Sequence, residues 1–313
     1  MPAHWEQSEY DLRCEWGLPG MQALQDGSEV LIVVDVLVFS TAVDIAISRG
    51  AFVLPYCWRD SSAAEYARSR GAILAGSRTS GGYSLSPLSL ASILPGTSLV
   101  LPSPNGSAIC AAGAAKPVIA GCLRNCSAVA AAAMARGSRI AVIPAGEQWE
   151  GERLRPALED LVGAGALLAH LKGRPSPEAE AAIAAFERFR HDLPGTLRRT
   201  TSGKELELRG FGGDVECAAE LDVSRSAPLL HEGASYRAWF DPQKERSTGN
   251  KRLRTGLRAL RALQHRACIA DIVRVAGVAA AARIVGVEFG ALAVRIESAR
   301  MFGINQARVF LAH

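Results

Sequence analysis

The residues of this chain with chemical content sit where apolar runs end. In residues 29–37, Glu-Val-Leu-Ile-Val-Val-Asp-Val-Leu, a continuous apolar stretch closes on Asp35, and Ser40 and Thr41 follow shortly after. A carboxylate at the end of a buried strand is a hard-metal ligand, and hydroxyls and amides at the next helix start suit a phosphate. Pro104-Asn105-Gly106-Ser107 puts permissive backbone directly before a helix, so that its N–H groups can converge on an anion. Ala145-Gly146-Glu147 follows another apolar run, and Leu158-Glu159-Asp160 opens a helix that continues through Gly163-Ala164-Gly165. Gly210-Phe211-Gly212-Gly213 precedes Asp214 in a similar way. Each segment also has a purely structural reading. Asp35 and Asp214 can cap helices, Asn105-Gly106 can be an ordinary turn with Ser107 as cap, and Glu159 and Asp160 can complement a helix macrodipole. Neither a Walker A loop nor a G-x-G-x-x-G fingerprint occurs, which argues against nucleotide-dependent chemistry.

The elements that must hold these residues alternate. Residues 29–36, 51–56, 71–75, 98–101, 118–120 and 139–144 read as short buried strands. Between and after them, helices are expected over about 42–48, 61–70, 107–115, 125–136, 156–171 and 178–191, with Asp60, Ser61 and Ser62 opening the second. A short strand-like stretch, 205–208, follows a Thr/Ser/Gly loop. The βα rhythm predicts a layered α/β/α fold around a largely parallel sheet.

Composition sets the bounds. A chain of 313 residues with 49% hydrophobic content can bury a substantial core. It has neither a long uncharged apolar run nor an apolar core near its polar, acidic start, so the expected setting is the cytoplasm, without membrane contact. Seven scattered cysteines read as reduced thiols, and the one close pair, Cys122 and Cys126, reads as buried packing rather than a zinc site. The net charge of +4 is uneven, since residues 241–313 carry 13 Lys+Arg against 5 Asp+Glu, a balance of +8 that leaves −4 on residues 1–240. The polar stretch 241–250 reads as a linker between a body, 1–240, and a basic Arg/Ala-rich extension, 241–313. Residues 252–267 of that extension can be drawn as a basic amphipathic helix. Aromatic interleaving for nucleic-acid binding is absent, and no nucleic acid is expected as a partner of the body.

In order along the chain, Val34-Asp35-Val36-Leu37, Ser40-Thr41, Asn105-Gly106-Ser107, Asn125, Ala145-Gly146, Glu159-Asp160 with Gly163-Ala164-Gly165, and Asp214 resemble the 2-phosphosulfolactate phosphatase (ComB) family over residues 28–230. The resemblance implies an α/β fold, Mg2+ as cofactor, and hydrolysis of 2-phosphosulfolactate to sulfolactate and phosphate, a step of coenzyme M biosynthesis in methanogens. It implies catalytic roles for Asp35, Glu159 and Asp160 and metal ligation by Asp35, Glu159 and Asp214. Substrate contacts would come from Ser40, Thr41, Arg78, Asn105, Gly106, Ser107, Asn125 and Gly146, with Arg78 gripping a phosphate or sulfonate bidentately. The partner is then a small anionic phosphorylated substrate, and a homo-oligomer is compatible with the chain. Two departures stand out. Val38 occupies a position where the family usually has arginine, and Gly76-Ser77-Arg78 replaces its usual Gly-Glu-Arg. The alternative reading is a catalytically inactive relative that keeps an anion-binding pocket.

Overall fold

Strand Val30–Val34 shows why the chain folds in layers. All five residues are fully buried, yet they alternate: Val30, Ile32 and Val34 join one apolar cluster, Leu31 and Val33 the other. A strand apolar on both faces needs helices on both sides. The computed structural model describes residues 3–58, 60–149, 153–231, 233, 235–238, 293–297 and 308–312.

In chain order the main sheet begins with β1 (Leu12–Cys14), helix α1 (Gly17–Leu24), β2 (Val30–Val34), α2 (Phe39–Ser48), β3 (Phe52–Tyr56), α3 (Ser61–Ser69) and β4 (Ile73–Leu74). It continues with β5 (Ser98–Pro102), α4 (Gly106–Ala112), β6 (Val118–Gly121), α5 (Cys126–Met134) and β7 (Ile140–Pro144). A two-strand ribbon, β8 (Glu147–Gln148) and β9 (Leu154–Arg155), leads into α6 (Leu158–Leu168) and α7 (Pro177–Phe189). Helices α8 (Leu193–Arg199), α9 (Thr201–Leu208) and α10 (Gly212–Ala218) precede a closing pair, β10 (Pro228–His231) and β11 (Ser235–Ala238).

The nine strands lie in the order β1-β7-β2-β6-β10-β11-β3-β5-β4. All pairings are parallel except those of the β10–β11 hairpin, which is antiparallel to β6 on one side and to β3 on the other. Helices α5, α6 and α7 supply the cluster on one face, and α1, α2 and α4 supply the other, the layered α/β architecture expected of the rhythm. The Gly163-Ala164-Gly165 segment lets α6 approach closely: a Cβ on Gly163 would meet Val36 Cγ2 at 2.6 Å, and one on Gly165 would meet the Ala182 carbonyl of α7 at 1.9 Å.

Three differences from the sequence reading have physical causes. Residues 205–208 are helical, not extended: Thr200 Oγ1 caps α9 by accepting from Gly203 N, and the apparent alternation dissolves because Leu206 is buried while Leu208 is 89% exposed. Strand β1 and helix α1 form in a segment with no clear periodicity, held as an edge by parallel pairing of β1 with β7. The β10–β11 hairpin sits mid-sheet, a position set by pairing with distant strands. Among the described residues, no helix is long and apolar enough to cross a membrane, and the described cysteines are all free thiols.

The chain divides into two compact units, Met1–Asp241 and Pro242–His313. In the second, the described residues form an antiparallel pair, β12 (Ala293–Glu297) and β13 (Arg308–Ala312). The expected linker at 241–250 and amphipathic helix at 252–267 lie outside the described residues.

Candidate active site

The loops leaving the C-terminal ends of the parallel strands converge on one cleft of about 630 Å³, the place where open α/β sheets carry ligands. After β2 comes Asp35, with Leu37, Val38 and Phe39; after β4, Gly76, Ser77 and Arg78; after β5, Ser103, Pro104 and Asn105; after β7, Glu147 and Gln148. Helix α9 and the residue after it close the side with Ser202, Glu205, Leu206 and Arg209.

Asp35 is 8% exposed. Its Oδ1 accepts from the N–H of Phe39 at 3.0 Å, so the acid caps α2 as well as facing the cleft. The turn between them is locked from within. Ser40 Oγ accepts from Asp35 N at 3.1 Å and donates to the Val33 carbonyl, and Thr41 Oγ1 donates to the Val36 carbonyl at 2.8 Å. Both hydroxyls are fully buried and outside the cleft lining. Gly106 abuts this acid from the other side: a Cβ there would lie 2.9 Å from Asp35 Oδ2 and 2.4 Å from Phe39 Cδ1, so the position excludes any side chain.

Glu147 stands after β7 as Asp35 stands after β2. Asn105 Nδ2 donates to its Oε2 at 3.1 Å. Burial first, and then the negative charges of Asp35 and Glu159, push its carboxyl up to about 7, against which Arg155 pulls in part. Asp160 lies behind the cleft wall. Its Oδ1 accepts from Val36 N at 2.7 Å and its Oδ2 from Gly146 N at 2.9 Å, so one carboxyl braces the loops after β2 and β7. Complete burial, with Asp35 and Glu159 nearby, raises its pKa well above the usual carboxylate range despite those donors. Glu159 is 2% exposed and forms the fourth member of this charge cluster.

The other expected residues take separate places. Arg78 lines the cleft with its guanidinium carbon 4.9 Å from the Phe211 ring centroid, while Nη1 pairs with Asp214. Asp214 is thereby engaged, since its Oδ1 also accepts from Ser86 Oγ at 2.5 Å. It does not line the cleft. Asn125 is buried at the start of α5, where its Oδ1 accepts from Cys122 N at 2.9 Å and its Nδ2 donates to the Ala120 carbonyl. Ser107 is buried within α4, and its Oγ has no hydrogen-bond partner among the described residues. Gly146 contributes its N–H to Asp160 and its carbonyl to Asn105. Sequence reasoning left Glu147, Asp60, Gln148, Ser103, Glu205 and Arg209 out of the site. For Glu147 a signal existed, an acid just beyond a buried strand.

The 2-phosphosulpholactate phosphatase family profile matches residues 19–233. The chain belongs to the 2-phosphosulfolactate phosphatase family. A relative named 2-phosphosulfolactate phosphatase, from Methanothermobacter thermautotrophicus, is 32% identical over 214 residues, covering 66% of this chain and 89% of its own. Two relatives named probable 2-phosphosulfolactate phosphatase are similar over comparable lengths. The one from Carboxydothermus hydrogenoformans is 29% identical, covering 65% of this chain and 87% of its own, and the one from Deinococcus radiodurans 32%, covering 66% and 89%. The family's members are phosphoric-monoester hydrolases, and the matched span holds every residue of the cleft. Val38 and Ser77 both fall on the cleft wall.

Proposed function

We propose that this cleft hydrolyses the phosphate ester of a small, multiply anionic hydroxy-acid, 2-phosphosulfolactate or a close relative of it, with magnesium as cofactor. The observation that carries the reading is the pairing of Asp35 and Glu147, two acids after two parallel strands, with Arg78 in the same cleft of a chain of this family.

The donor set suits a hard cation. Asp35 and Glu147 offer carboxylate oxygens, and Glu159 adds negative charge behind them. Among the described residues, these acids do not close into a three-ligand cluster. Magnesium usually takes one or two carboxylates and fills its shell with water and substrate phosphate, so such an open set fits it. Asp35 is the first ligand we assign, with Glu147 beside it; Asp214, paired with Arg78, is the least available of the acids named from the sequence. When bound, magnesium would neutralise phosphoryl charge.

The chain's own residues do the rest. Arg78 is held by Asp214 and Phe211 and presents a planar cation to a phosphate or sulfonate oxygen. Asp160 fixes the two acid-bearing loops relative to each other. In the metal-bound site Glu147 would serve as an ionised ligand, and the ester oxygen that leaves as the substrate hydroxyl takes up the proton that the attacking water gives up. Water supplies the new P–O bond, and no protein nucleophile is needed.

The second reading, an inactive anion-binding relative, is favoured by Val38 and Ser77 on the cleft wall. Phosphate release from 2-phosphosulfolactate and a panel of phosphorylated hydroxy-acids separates the two. Turnover of any of them supports the enzyme; tight binding of the panel without release of phosphate supports the inactive relative.

A further inference from the structure

Away from the cleft, three ligand-type side chains from distant parts of the chain meet at the surface. Cys126 opens α5 and is buried; His170 follows α6 and Asp222 follows α10, both exposed. One thiol sulfur, one imidazole nitrogen and one carboxylate oxygen all lie within 4.8 Å of one another, and none of these residues lines the cleft. Asp222 holds a left-handed backbone, φ 52°, and is pinned there because its N–H donates to the Leu123 carbonyl at 2.9 Å and its Oδ1 accepts from Ser127 N at 3.0 Å.

The spacing fits a tetrahedral metal. Zinc bonds of about 2.3 Å to sulfur and about 2.0 Å to oxygen set an S···O edge of about 3.5 Å. Cys126 Sγ donates to Asp222 Oδ1 at 3.6 Å, close to that edge. The His170 nitrogen lies within 4.8 Å of both atoms, and its exposed side chain would have to move closer to complete such an edge. Hydrogen bonds account for the Ser127 and Cys126 contacts; the third ligand type, the His170 imidazole, comes within reach of the same thiol and carboxylate from 44 residues further along the chain.

We propose that Cys126, His170 and Asp222 bind one zinc-class divalent cation, at a site separate from the active-site cleft. A thiolate and a carboxylate balance the charge of the ion, with a neutral imidazole as third ligand. Cys126 gives its thiol proton to solvent as the metal–sulfur bond forms. The fourth position faces water, as in open zinc sites. Such an ion would clamp the segment after α10 onto the ends of α5 and α6 and stabilise the fold by mass action.

Cobalt(II) is the probe, because a cobalt–thiolate bond gives a charge-transfer absorption that carboxylate or imidazole ligation does not. Chelator-stripped full-length protein should bind one equivalent of cobalt with this band, zinc should displace it, and zinc should raise the melting temperature. Cys126→Ser should abolish the band. His170→Ala and Asp222→Asn, both at exposed positions, should melt as wild type without metal and bind cobalt at least about tenfold more weakly. If Cys126→Ser fails to fold, those two variants decide. The proposal is overturned if wild type shows no thiolate band at about 100 µM cobalt. It is equally overturned if the band persists in Cys126→Ser, or if His170→Ala and Asp222→Asn bind as wild type does.

Discussion

Glu147→Gln should stabilise the metal-free protein in a pH-dependent way. In the folded chain this carboxyl is raised from 4.5 to about 7, first by burial and then by Asp35 and Glu159. Between those two values the unfolded chain releases a proton that the folded chain keeps, so stability falls as pH rises through this window and the full loss is reached above about pH 7. The shift corresponds to about 3 kcal/mol. Glutamine keeps the shape and an oxygen for Asn105 Nδ2 but removes the charge, so at pH 8 the variant should be more stable than wild type by up to that amount. For a body of this size that is roughly 6 to 12 °C in melting temperature. Near pH 4.5 the two should coincide. Thermal melts from pH 4.5 to 8.5 in chelator test this, and magnesium should narrow the gap by offsetting the repulsion around Asp35. If the two proteins melt together at pH 8 without metal, the carboxyl is not raised by burial and its acidic neighbours as the geometry implies.

Other expectations follow from the same contacts. Asp160→Ala strands the buried N–H groups of Val36 and Gly146 and should cost about 2–4 kcal/mol in denaturant titrations, whereas Asp160→Asn keeps one acceptor and should cost less; an alanine variant as stable as wild type would show that the brace is unimportant. Val38→Arg adds a cation to the cleft wall and should lower KM for 2-phosphosulfolactate by about tenfold relative to a phosphorylated hydroxy-acid lacking the sulfonate; equal KM changes for both would place the new charge away from the sulfonate. A chain ending at Asp241 should remain soluble and unfold in one cooperative thermal transition. Aggregation of the shortened chain would make the extension part of the core.

The sequence made some of this legible and hid the rest for identifiable reasons. β2 was readable because it is apolar on both faces, and Asp35 because it ends that run. The α6 acids were visible, but their division of labour was not. Asp160 is a brace because Val36, 124 residues away, donates to it, and nothing local distinguishes it from its neighbour Glu159. Ser40, Thr41 and Asn125 are read from the sequence as anion contacts because hydroxyls and amides at helix starts serve either role; in the fold each also hydrogen-bonds backbone groups of its own turn. Glu147 was visible as an acid following a buried strand but was given no role, because its environment comes from Asn105 and the acids of other loops. The β10–β11 hairpin is placed by pairing with β6 and β3, which a local pattern cannot encode. The convergence of Cys126 with Asp222 spans 96 residues, beyond the reach of any spacing motif.

The central claim is that the acids of the cleft serve a metal-dependent phosphatase, and Asp35→Asn tests it most directly. Asparagine can keep the hydrogen bond to Phe39 N that caps α2, so the fold should survive while the charged ligand is lost. Phosphate release from 2-phosphosulfolactate would be measured for wild type and Asp35→Asn over a magnesium titration and in chelator, with melting temperatures alongside. Release by wild type should depend on magnesium and fall to background in chelator, and Asp35→Asn should lose at least about a hundredfold without loss of folding. Hydrolysis that ignores the chelator, or full activity in Asp35→Asn, would contradict the claim.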